Sequence, residues 1–193
     1  MNPAQLRAVL TTRTRRSLEI ADFRRAAVLV PIVLEPEPTL ILTQRSADLP
    51  THQGQIAFPG GKVEPGETVA VAAVREAHEE INLSPVLVSV LGLLHDVWTP
   101  QAFQVTPVVA IVVSIADVDP NPREVERILF VPIADLSAIA PRQETRREPP
   151  AQRWPPGVTG SRTVLHYDWR GTDIWGMTAA VIHDLLETLK SVA

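Results

Sequence analysis

Apolar residues along the chain fall into short runs that predict β-strands. Val, Ile and Leu dominate these runs and turn-forming residues separate them, as is typical of strands in a buried sheet. The first two runs flank a Glu-Pro-Glu-Pro sequence at 35–38, which predicts a turn between neighbouring strands. The predicted strands cover residues 26–34, 39–43, 86–97, 105–115, 128–131 and 163–169.

Three other segments have the spacing or the start signal of helices. In residues 67–81 and 177–192, apolar side chains recur every three or four positions and form one apolar face. Residues 132–139 predict a short helix that begins at its proline. Because strands and helices alternate imperfectly, the sequence predicts an α+β fold with a mixed β-sheet between helices, an α/β/α sandwich.

The two ends of the chain differ in character. Residues 1–25 contain six arginines and predict a basic helical segment that is exposed to solvent. Residues 26–193 carry the predicted strands and the remaining helices, so the chain as a whole is expected to form a single domain.

The composition excludes several classes of protein. At 193 residues and 45% hydrophobic composition, the chain can bury one substantial core. Its net charge of -4 argues against a nucleic-acid partner. No apolar run approaches the roughly 20 residues that cross a bilayer, so we expect no membrane partner and a cytoplasmic location. The absence of cysteine excludes disulfides and thiolate metal sites.

Three glutamates lie side by side in the second half of the predicted helix 67–81. Glu76, Glu79 and Glu80 fall within about 100° of arc, next to the apolar face. Their mutual repulsion and their place at the negative end of the helix dipole cost roughly 1 to 2 kcal/mol, which a divalent cation would reverse. Oxygen ligands favour Mg²⁺ or Mn²⁺. The alternative interpretation is a solvated acidic face.

The residues before this helix add features that suit a phosphate. Gly60 and Gly61 permit a close approach of the backbone, and Lys62 and Arg45 supply positive charge in the same region of sequence. This combination favours a phosphate-bearing substrate that cations bridge to the protein. It is not a Walker loop, because Val63 stands where a hydroxyl would ligate magnesium.

The spacing of these residues resembles the Nudix box of the nucleoside diphosphate-X hydrolases. Gly61 is followed after five residues by Glu67, and Glu67 after seven residues by Arg-Glu-Ala-His-Glu-Glu-Ile-Asn-Leu at 75–83. Asn82 stands where the family has glycine, but Asn tolerates the left-handed conformation at a helix end. Ala77 is smaller than the usual aliphatic residue, which concerns packing and not chemistry.

The resemblance implies a Nudix-like sandwich in which the box forms a loop-helix-loop that holds metal ions. Glu76 and Glu80 would be metal ligands, and Glu79 would be a third ligand or the general base. Arg75 and Glu67 would complete this catalytic set by bracing the loop. Two carboxylates outside the helix are alternative sources of the base, Glu124 and Glu144.

A second pattern resembles the signature of the coenzyme A pyrophosphatase branch of this family. It comprises Ile-Leu-Thr-Gln-Arg-Ser at 41–46, then Gly54 and Phe-Pro-Gly-Gly at 58–61. The sequence Ile-Trp-Gly-Met-Thr-Ala at 174–179 also resembles that branch. The branch has a further arginine where this chain has Pro50, so one substrate contact of the branch is absent.

This second resemblance implies a small-molecule nucleotide substrate, coenzyme A or its thioesters. Hydrolysis of the diphosphate would yield adenosine 3′,5′-bisphosphate and 4′-phosphopantetheine, with Mg²⁺ or Mn²⁺ as cofactor. Pro50 leaves ADP-ribose or NADH as alternative substrates. A non-catalytic nucleotide-binding module is a further alternative, although all the acids of the box are present.

Five residues are candidate contacts to this substrate. Arg45 is expected to contact a phosphate, and its alternative is an exposed arginine at the end of a strand. Gln55 would be a polar contact or part of the loop structure, and Phe103 would stack on adenine or be a core aromatic. Gly60 and Gly61 would offer their backbone to the substrate.

Residues 141–160 predict a loop over the site. They contain five prolines, four arginines and two glycines with little periodicity. Because the segment is long and rich in arginine, we expect it to cover the substrate.

Overall fold

The computed structural model describes residues 2–147 and 160–191 of the chain. Within these ranges the helices are α1 (Pro3–Thr12), α2 (Val69–Ile81), α3 (Ile133–Ala138) and α4 (Met177–Lys190), and Pro85–Leu87 forms a 3₁₀ turn. The predicted helices 67–81, 132–139 and 177–192 are therefore confirmed to within two residues at each end. None of the described helices is long and apolar enough to cross a membrane.

Eight strands form the main sheet. They are β1 (Arg24–Val33), β2 (Thr39–Arg45), β3 (Ile56–Ala57), β4 (Gly60–Lys62), β5 (Val88–Leu93), β6 (Val97–Thr99), β7 (Phe103–Val112) and β8 (Val125–Pro132). The two central strands β1 and β7 run parallel, and the other pairs are antiparallel. The predicted mixed sheet is confirmed.

The core lies on both faces of this sheet. Leucines and valines of α1 and α4 pack on one face together with alternate side chains of β1 and β2. The apolar face of α2 packs on the other, against the intervening side chains of β1 and β7. A sheet covered on both faces buries its central strands completely, which explains why β1 reads as a continuous apolar run. The α/β/α sandwich is confirmed.

The N-terminal segment is not the exposed basic helix that its arginines predict. The helix ends at Thr12, and Leu6 and Leu10 on it are buried against the sheet. A Cβ atom at Gly92 of β5 would lie 2.6 Å from Leu10, so this glycine allows the helix to approach the strand. The two leucines, four residues apart, form the apolar stripe that anchors the helix. The basic residues 24 and 25 belong to β1.

The predicted strand 86–97 is divided in the structure. Pro85 opens the 3₁₀ turn, and β5 and β6 are separated by residues 94–96. Asp96 in this break is buried and accepts hydrogen bonds from the Leu18 amide at 2.8 Å and the Thr106 hydroxyl at 2.7 Å. A buried carboxylate needs such partners, and the break between β5 and β6 places Asp96 within reach of them.

A second sheet corrects the prediction of a loop over residues 141–160. The strands β9 (Arg142–Arg147), β10 (Ser161–Trp169) and β11 (Thr172–Trp175) form an antiparallel meander. Strand β9 has the sequence Arg-Gln-Glu-Thr-Arg-Arg, which contains no apolar residue and so no apolar strand signal, and its pairing with β10 decides its conformation. Residues 148–159 of the predicted loop lie outside the described residues, and the cover over the substrate stays a prediction.

Candidate active site

Helix α2 is capped at both ends. Thr68 caps the N-terminus, since its hydroxyl accepts a hydrogen bond from the Val71 amide at 3.2 Å. Asn82 ends the helix in the left-handed conformation with φ of 53°, and its side chain donates to the Asp117 carbonyl at 2.9 Å. Asparagine thus fills the position at which the resemblance implies glycine. The buried alanines of α2 place the glutamates at the edge of the sheet.

The three glutamates of α2 have different environments. Glu80 is 5% exposed, and its carboxylate accepts a hydrogen bond from the Gly60 amide at 3.3 Å. Burial raises the pKa of Glu80 to about 8. Burial also raises the pKa of Glu76, which is half-buried. Glu79 is exposed. The two carboxylates that face inward are those implied as metal ligands.

The paired glycines allow strand β4 to lie against both β1 and the helix. A Cβ atom at Gly61 would lie 2.5 Å from the carboxylate atoms of Glu76. One at Gly60 would lie 2.4 Å from the carbonyl oxygen of Ala27. Any larger residue at either position therefore displaces an acid or a strand. Here the glycines serve a close approach, as the sequence predicts.

Arg75 connects the loop before the helix to the glutamates. Its Nε and a terminal nitrogen donate to both carboxylate oxygens of Glu67, at 2.8 and 3.0 Å. It also donates to Glu76 at 3.0 Å, to Glu79 at 3.2 Å and to the Lys62 carbonyl at 3.1 Å. The hydrogen bonds from Arg75 lower the pKa of Glu67 to about 2, and those from the carboxylates raise the pKa of Arg75. These contacts are the brace that the resemblance implies.

Arg45 and Glu124 come to this face from other parts of the chain. The charge of Arg45, at the end of β2, lowers the pKa of Glu80, whereas the charge of Glu124 raises it. Glu124 acts in the same direction on the pKa of Glu76. The Nε atom of Arg45 is buried and has no hydrogen-bond partner among the described residues. A buried donor without a partner is costly, and an anionic ligand would satisfy it.

Two candidate residues belong to other parts of the fold, and a third has a backbone role beside Arg45. Phe103 lies on the α4 side of the sheet, with the guanidinium of Arg24 over its ring at 4.0 Å. This position matches the alternative of a core aromatic and gives no geometric support to adenine stacking. Glu144 belongs to β9 and bonds to Arg146 and His166. The Gln55 carbonyl accepts from the Arg45 amide at 3.0 Å, which is a role in loop structure.

Residues 117–125 reach the C-terminal end of α2, and the sequence contains little to predict this. The Asn121 amide donates to the Glu80 carbonyl at 2.8 Å, and the Asp119 amide donates to the Ile81 carbonyl at 3.1 Å. The only local signal is the Asp-Pro-Asn-Pro sequence at 119–122, which predicts a turn but no partner for it.

The carboxylates near α2 are the available ligands for a divalent metal ion. Among the described residues, no three His, Asp or Glu side chains are arranged around one point as a closed ion site. The carboxylates of Glu76 and Glu79 are both paired with the guanidinium of Arg75, at 3.0 and 3.2 Å. The donors themselves fit a hard cation, since Glu76, Glu80 and Glu124 offer only oxygen and their mutual repulsion favours a positive ligand.

Comparison with known proteins identifies the family. Residues 23–153 match the NUDIX domain. The chain belongs to the Nudix family. It is 40% identical over 163 residues to an uncharacterised Nudix hydrolase, NudL, of Pectobacterium atrosepticum, covering 84% of this chain and 81% of the relative. It is 39% identical over 177 residues to a protein of the same name from Klebsiella pneumoniae, covering 90% of this chain and 86% of that protein.

The Nudix fold is also found among solved structures. The crystal structure of the Nudix hydrolase RenU from M. smegmatis superposes with a TM-score of 0.51 and 26% sequence identity, covering 59% of this chain and 73% of that one. The chain is therefore a Nudix hydrolase with the α+β architecture of that family. Nudix hydrolases act on small nucleotide substrates and generally use divalent metal ions.

Proposed function

We propose that this Nudix hydrolase cleaves the diphosphate bond of coenzyme A or its thioesters. The products would be adenosine 3′,5′-bisphosphate and 4′-phosphopantetheine. The proposal rests on the signature at 41–46 and 58–61, whose two halves lie on β2 and on the β4 side of the box. The observation that carries it is Arg45, the charged residue of that signature, which lies within electrostatic reach of Glu80.

Arg45 has the features of a phosphate contact. Its backbone is fixed on both sides, because its amide donates to Gln55 at 3.0 Å and its carbonyl accepts from Gly54 at 3.0 Å. Its buried Nε has no hydrogen-bond partner among the residues described. A guanidinium that extends from a fixed backbone and keeps an unused donor matches phosphate oxygens well.

The carboxylates have separate roles in the proposed reaction. Glu76 and Glu80, with Glu124 as a further donor, would hold Mg²⁺ or Mn²⁺. When bound, these ions neutralise charge on the diphosphate and acidify a water. Glu79, or Glu124 where it does not bind the ion, would accept the proton of the attacking water, which forms the new oxygen–phosphorus bond as the bridging bond breaks. Glu79 is exposed and paired with Arg75, so Arg75 orients it.

A substrate panel tests the choice of nucleotide. The purified protein would be incubated with coenzyme A, an acyl-coenzyme A, ADP-ribose and NADH, each with Mg²⁺ or Mn²⁺, and the products separated by chromatography. We expect coenzyme A or its thioester to give adenosine 3′,5′-bisphosphate most rapidly. Unchanged coenzyme A beside cleaved ADP-ribose would overturn the proposed substrate and favour the reading of Pro50 as a loss of coenzyme A recognition.

The Glu80→Gln variant tests the metal assignment and the non-catalytic alternative together. Glutamine keeps the size and the hydrogen bond to Gly60 but removes the negative charge. We expect hydrolysis to fall by at least a hundredfold, since a charged ligand of the ion is lost. Undiminished hydrolysis would refute the metal assignment, and an unaltered protein without any hydrolysis would favour the binding module.

A further inference from the structure

Segment 117–125, called the clamp below, closes the C-terminal end of α2. A helix leaves its last carbonyl groups without partners inside the helix. Here the Ile81 carbonyl accepts from the Asp119 amide at 3.1 Å, and the Glu80 carbonyl accepts from the Asn121 amide at 2.8 Å. The Asp117 carbonyl in turn accepts from the Asn82 side chain. One segment therefore satisfies the end of the helix that carries the glutamates.

Asn121 is the centre of the clamp. Its side-chain amide reaches the Glu79 carbonyl at 3.4 Å, and its side-chain oxygen accepts from the Arg123 amide at 3.2 Å. Its carbonyl accepts from the amides of Glu124 at 3.0 Å and Val125 at 2.8 Å. The same residue thus touches the helix on one side and fixes the turn that leads to Glu124 on the other.

The clamp also contacts the strand that bears the candidate phosphate contact. The Glu124 carbonyl accepts from the Ser46 amide at 2.9 Å, directly after Arg45. Val125, the next residue of the clamp, pairs with Arg45 in the β2–β8 ladder, so Glu124 is held between the end of α2 and the end of β2. The clamp therefore connects three parts of the site that are far apart in sequence.

We propose that Asn121 is a positioning residue, which holds Glu124 against Glu76 and Glu80 so that the clamp and α2 close the ion site together. It acts through Glu124 and touches no substrate. The inference rests on the proposed metal site, but not on the choice of coenzyme A as substrate. It also predicts reciprocity: because the clamp strengthens ion binding, a bound ion must strengthen the clamp to the same extent.

A merely structural role is the alternative, in which Asn121 only caps the helix. Loss of a cap lowers stability whatever residue stands at 124. Loss of positioning matters only while Glu124 can bind the ion. A double-mutant cycle between the two positions therefore distinguishes the two roles.

The experiment measures Mn²⁺ affinity by isothermal titration calorimetry of the substrate-free protein. Four proteins are compared: the unaltered chain, Asn121→Ala, Glu124→Gln and the double variant. We expect each single change to weaken Mn²⁺ binding about tenfold, as loss of groups that orient ligands does. The double variant should bind no more weakly than Glu124→Gln. Additive losses, or an Asn121→Ala variant with unchanged affinity, would overturn the inference.

Two further variants serve as a control and as a partial restoration of the Asn121 side chain. Ser114→Ala is the matched control. The Ser114 hydroxyl accepts a hydrogen bond from the Ala116 amide in an exposed turn, and this hydroxyl bonds neither to α2 nor to Glu124. It should leave the Mn²⁺ affinity unaltered. Asn121→Ser keeps an oxygen for the Arg123 amide and should recover part of the affinity. Should the alanine variant fail to fold, the same cycle with Asn121→Ser decides between the two roles.

Amide hydrogen exchange supplies a readout that is independent of activity. With saturating Mg²⁺, exchange in a peptide that spans 117–125 should slow in the unaltered protein, and should not slow in Glu124→Gln. Equal exchange with and without the ion would contradict the coupling. Because no substrate is used, a failed substrate panel leaves this result intact, whereas an unaltered protein that binds no Mn²⁺ overturns the metal site and the inference with it.

Discussion

Two adjacent glycines make the acidic face possible, and they do so in different ways. A methyl group at Gly61 would meet the flexible end of Glu76, whereas one at Gly60 would meet the backbone of β1. A side chain can rotate away from an intruding atom, but a paired strand cannot without losing hydrogen bonds. The two positions therefore offer a matched pair of substitutions.

We predict that Gly61→Ala keeps the fold and impairs the site. Glu76 must move by about 1 Å to reach an ordinary contact distance from a Cβ atom that would lie 2.5 Å from its carboxylate, so Mn²⁺ affinity and hydrolysis should fall about tenfold or more. Calorimetry and a hydrolysis assay measure both, and circular dichroism checks the fold.

The matched substitution Gly60→Ala should instead destabilise the whole protein. Its Cβ atom would lie 2.4 Å from the Ala27 carbonyl oxygen and 2.6 Å from the Val28 Cα. We expect a loss of about 3 kcal/mol or more in the free energy of unfolding, measured in urea. Equal stability of the two alanine variants would show that the backbone clash is not the reason for this glycine.

Glu67 gives the stability of the folded protein a pH dependence that can be assigned to this one residue. Arg75 holds the pKa of Glu67 at about 2 in the folded protein, below its ordinary value of 4.5. The ionised carboxylate therefore contributes stability above pH 4.5, and this contribution is lost as the pH falls toward 2.

We predict that Glu67→Gln lowers the urea midpoint at pH 7 and that the difference from the unaltered protein shrinks as the pH falls from 4.5 toward 2. Glu64→Gln is the control, since the Glu64 side chain forms no ion pair among the described residues. A difference that stays constant across this pH range would refute the assignment to the Glu67 carboxylate.

At the scale of elements, α1 shows that a basic segment can be part of the core. Leu6 is fully buried, and Leu10 fills the space that Gly92 leaves on β5. Arg7 lies on the exposed side of the helix, whereas Arg13 and Arg15 beyond its end are partly buried and pair with Asp184 and Asp96. The number of arginines predicted exposure, but the spacing of two leucines decided the packing.

We predict that Leu6→Ala costs about 2 to 5 kcal/mol in the free energy of unfolding, because it leaves a cavity between α1 and the sheet. Arg7→Ala on the exposed face of the same helix is the control, with an expected change below about 0.5 kcal/mol. Urea titration measures both. Similar values for the two variants would mean that α1 is not anchored through Leu6.

The other elements differ in how far the sequence predicts them. Helix α2 was predictable because its apolar face, its cap and its terminal asparagine all lie within fifteen residues. Strand β9 was not, since its arginine-rich sequence has no apolar alternation and only the pairing with β10 makes it a strand. Strands of two or three residues, such as β3 and β4, likewise depend on their partners.

At the scale of the whole molecule, a buried acid connects the N-terminal segment to the sheet. Asp96 accepts hydrogen bonds from the Leu18 amide and from Thr106 on β7, and it pairs with Arg15. The carboxylate is almost fully buried, whereas the arginine is one quarter exposed. Two of the residues around it, Arg15 and Thr106, are 91 positions apart, so the carboxylate ties the segment after α1 to the central strand β7.

We predict that Asp96→Ala costs on the order of 3 kcal/mol in the free energy of unfolding, because it leaves several donors without a partner. Asp48→Ala is the control, since Asp48 is exposed and forms no ion pair within the described ranges. Urea unfolding of both variants measures the difference. A cost no larger than that of the control would show that water replaces the carboxylate.

The grouping of acids on one face of α2, and the resemblance of the chain to the Nudix family, can be predicted from the amino-acid sequence alone. Glu76, Glu79 and Glu80 share a face whenever those residues are helical, because that relation depends only on the turn of the helix. The pairing of Arg75 with Glu67 was implied by the resemblance to the Nudix box, and both residues lie in the same short stretch of chain.

Which residues from other segments lie near that face depends on the tertiary structure. Arg45, Glu124 and Asn121 reach α2 through strand pairing and a turn, and no local pattern specifies which loop closes a helix end. The pairing also set the side of the sheet on which Phe103 lies. These contacts depend on how distant segments bury their apolar faces together, and burial of that kind is a property of the whole chain.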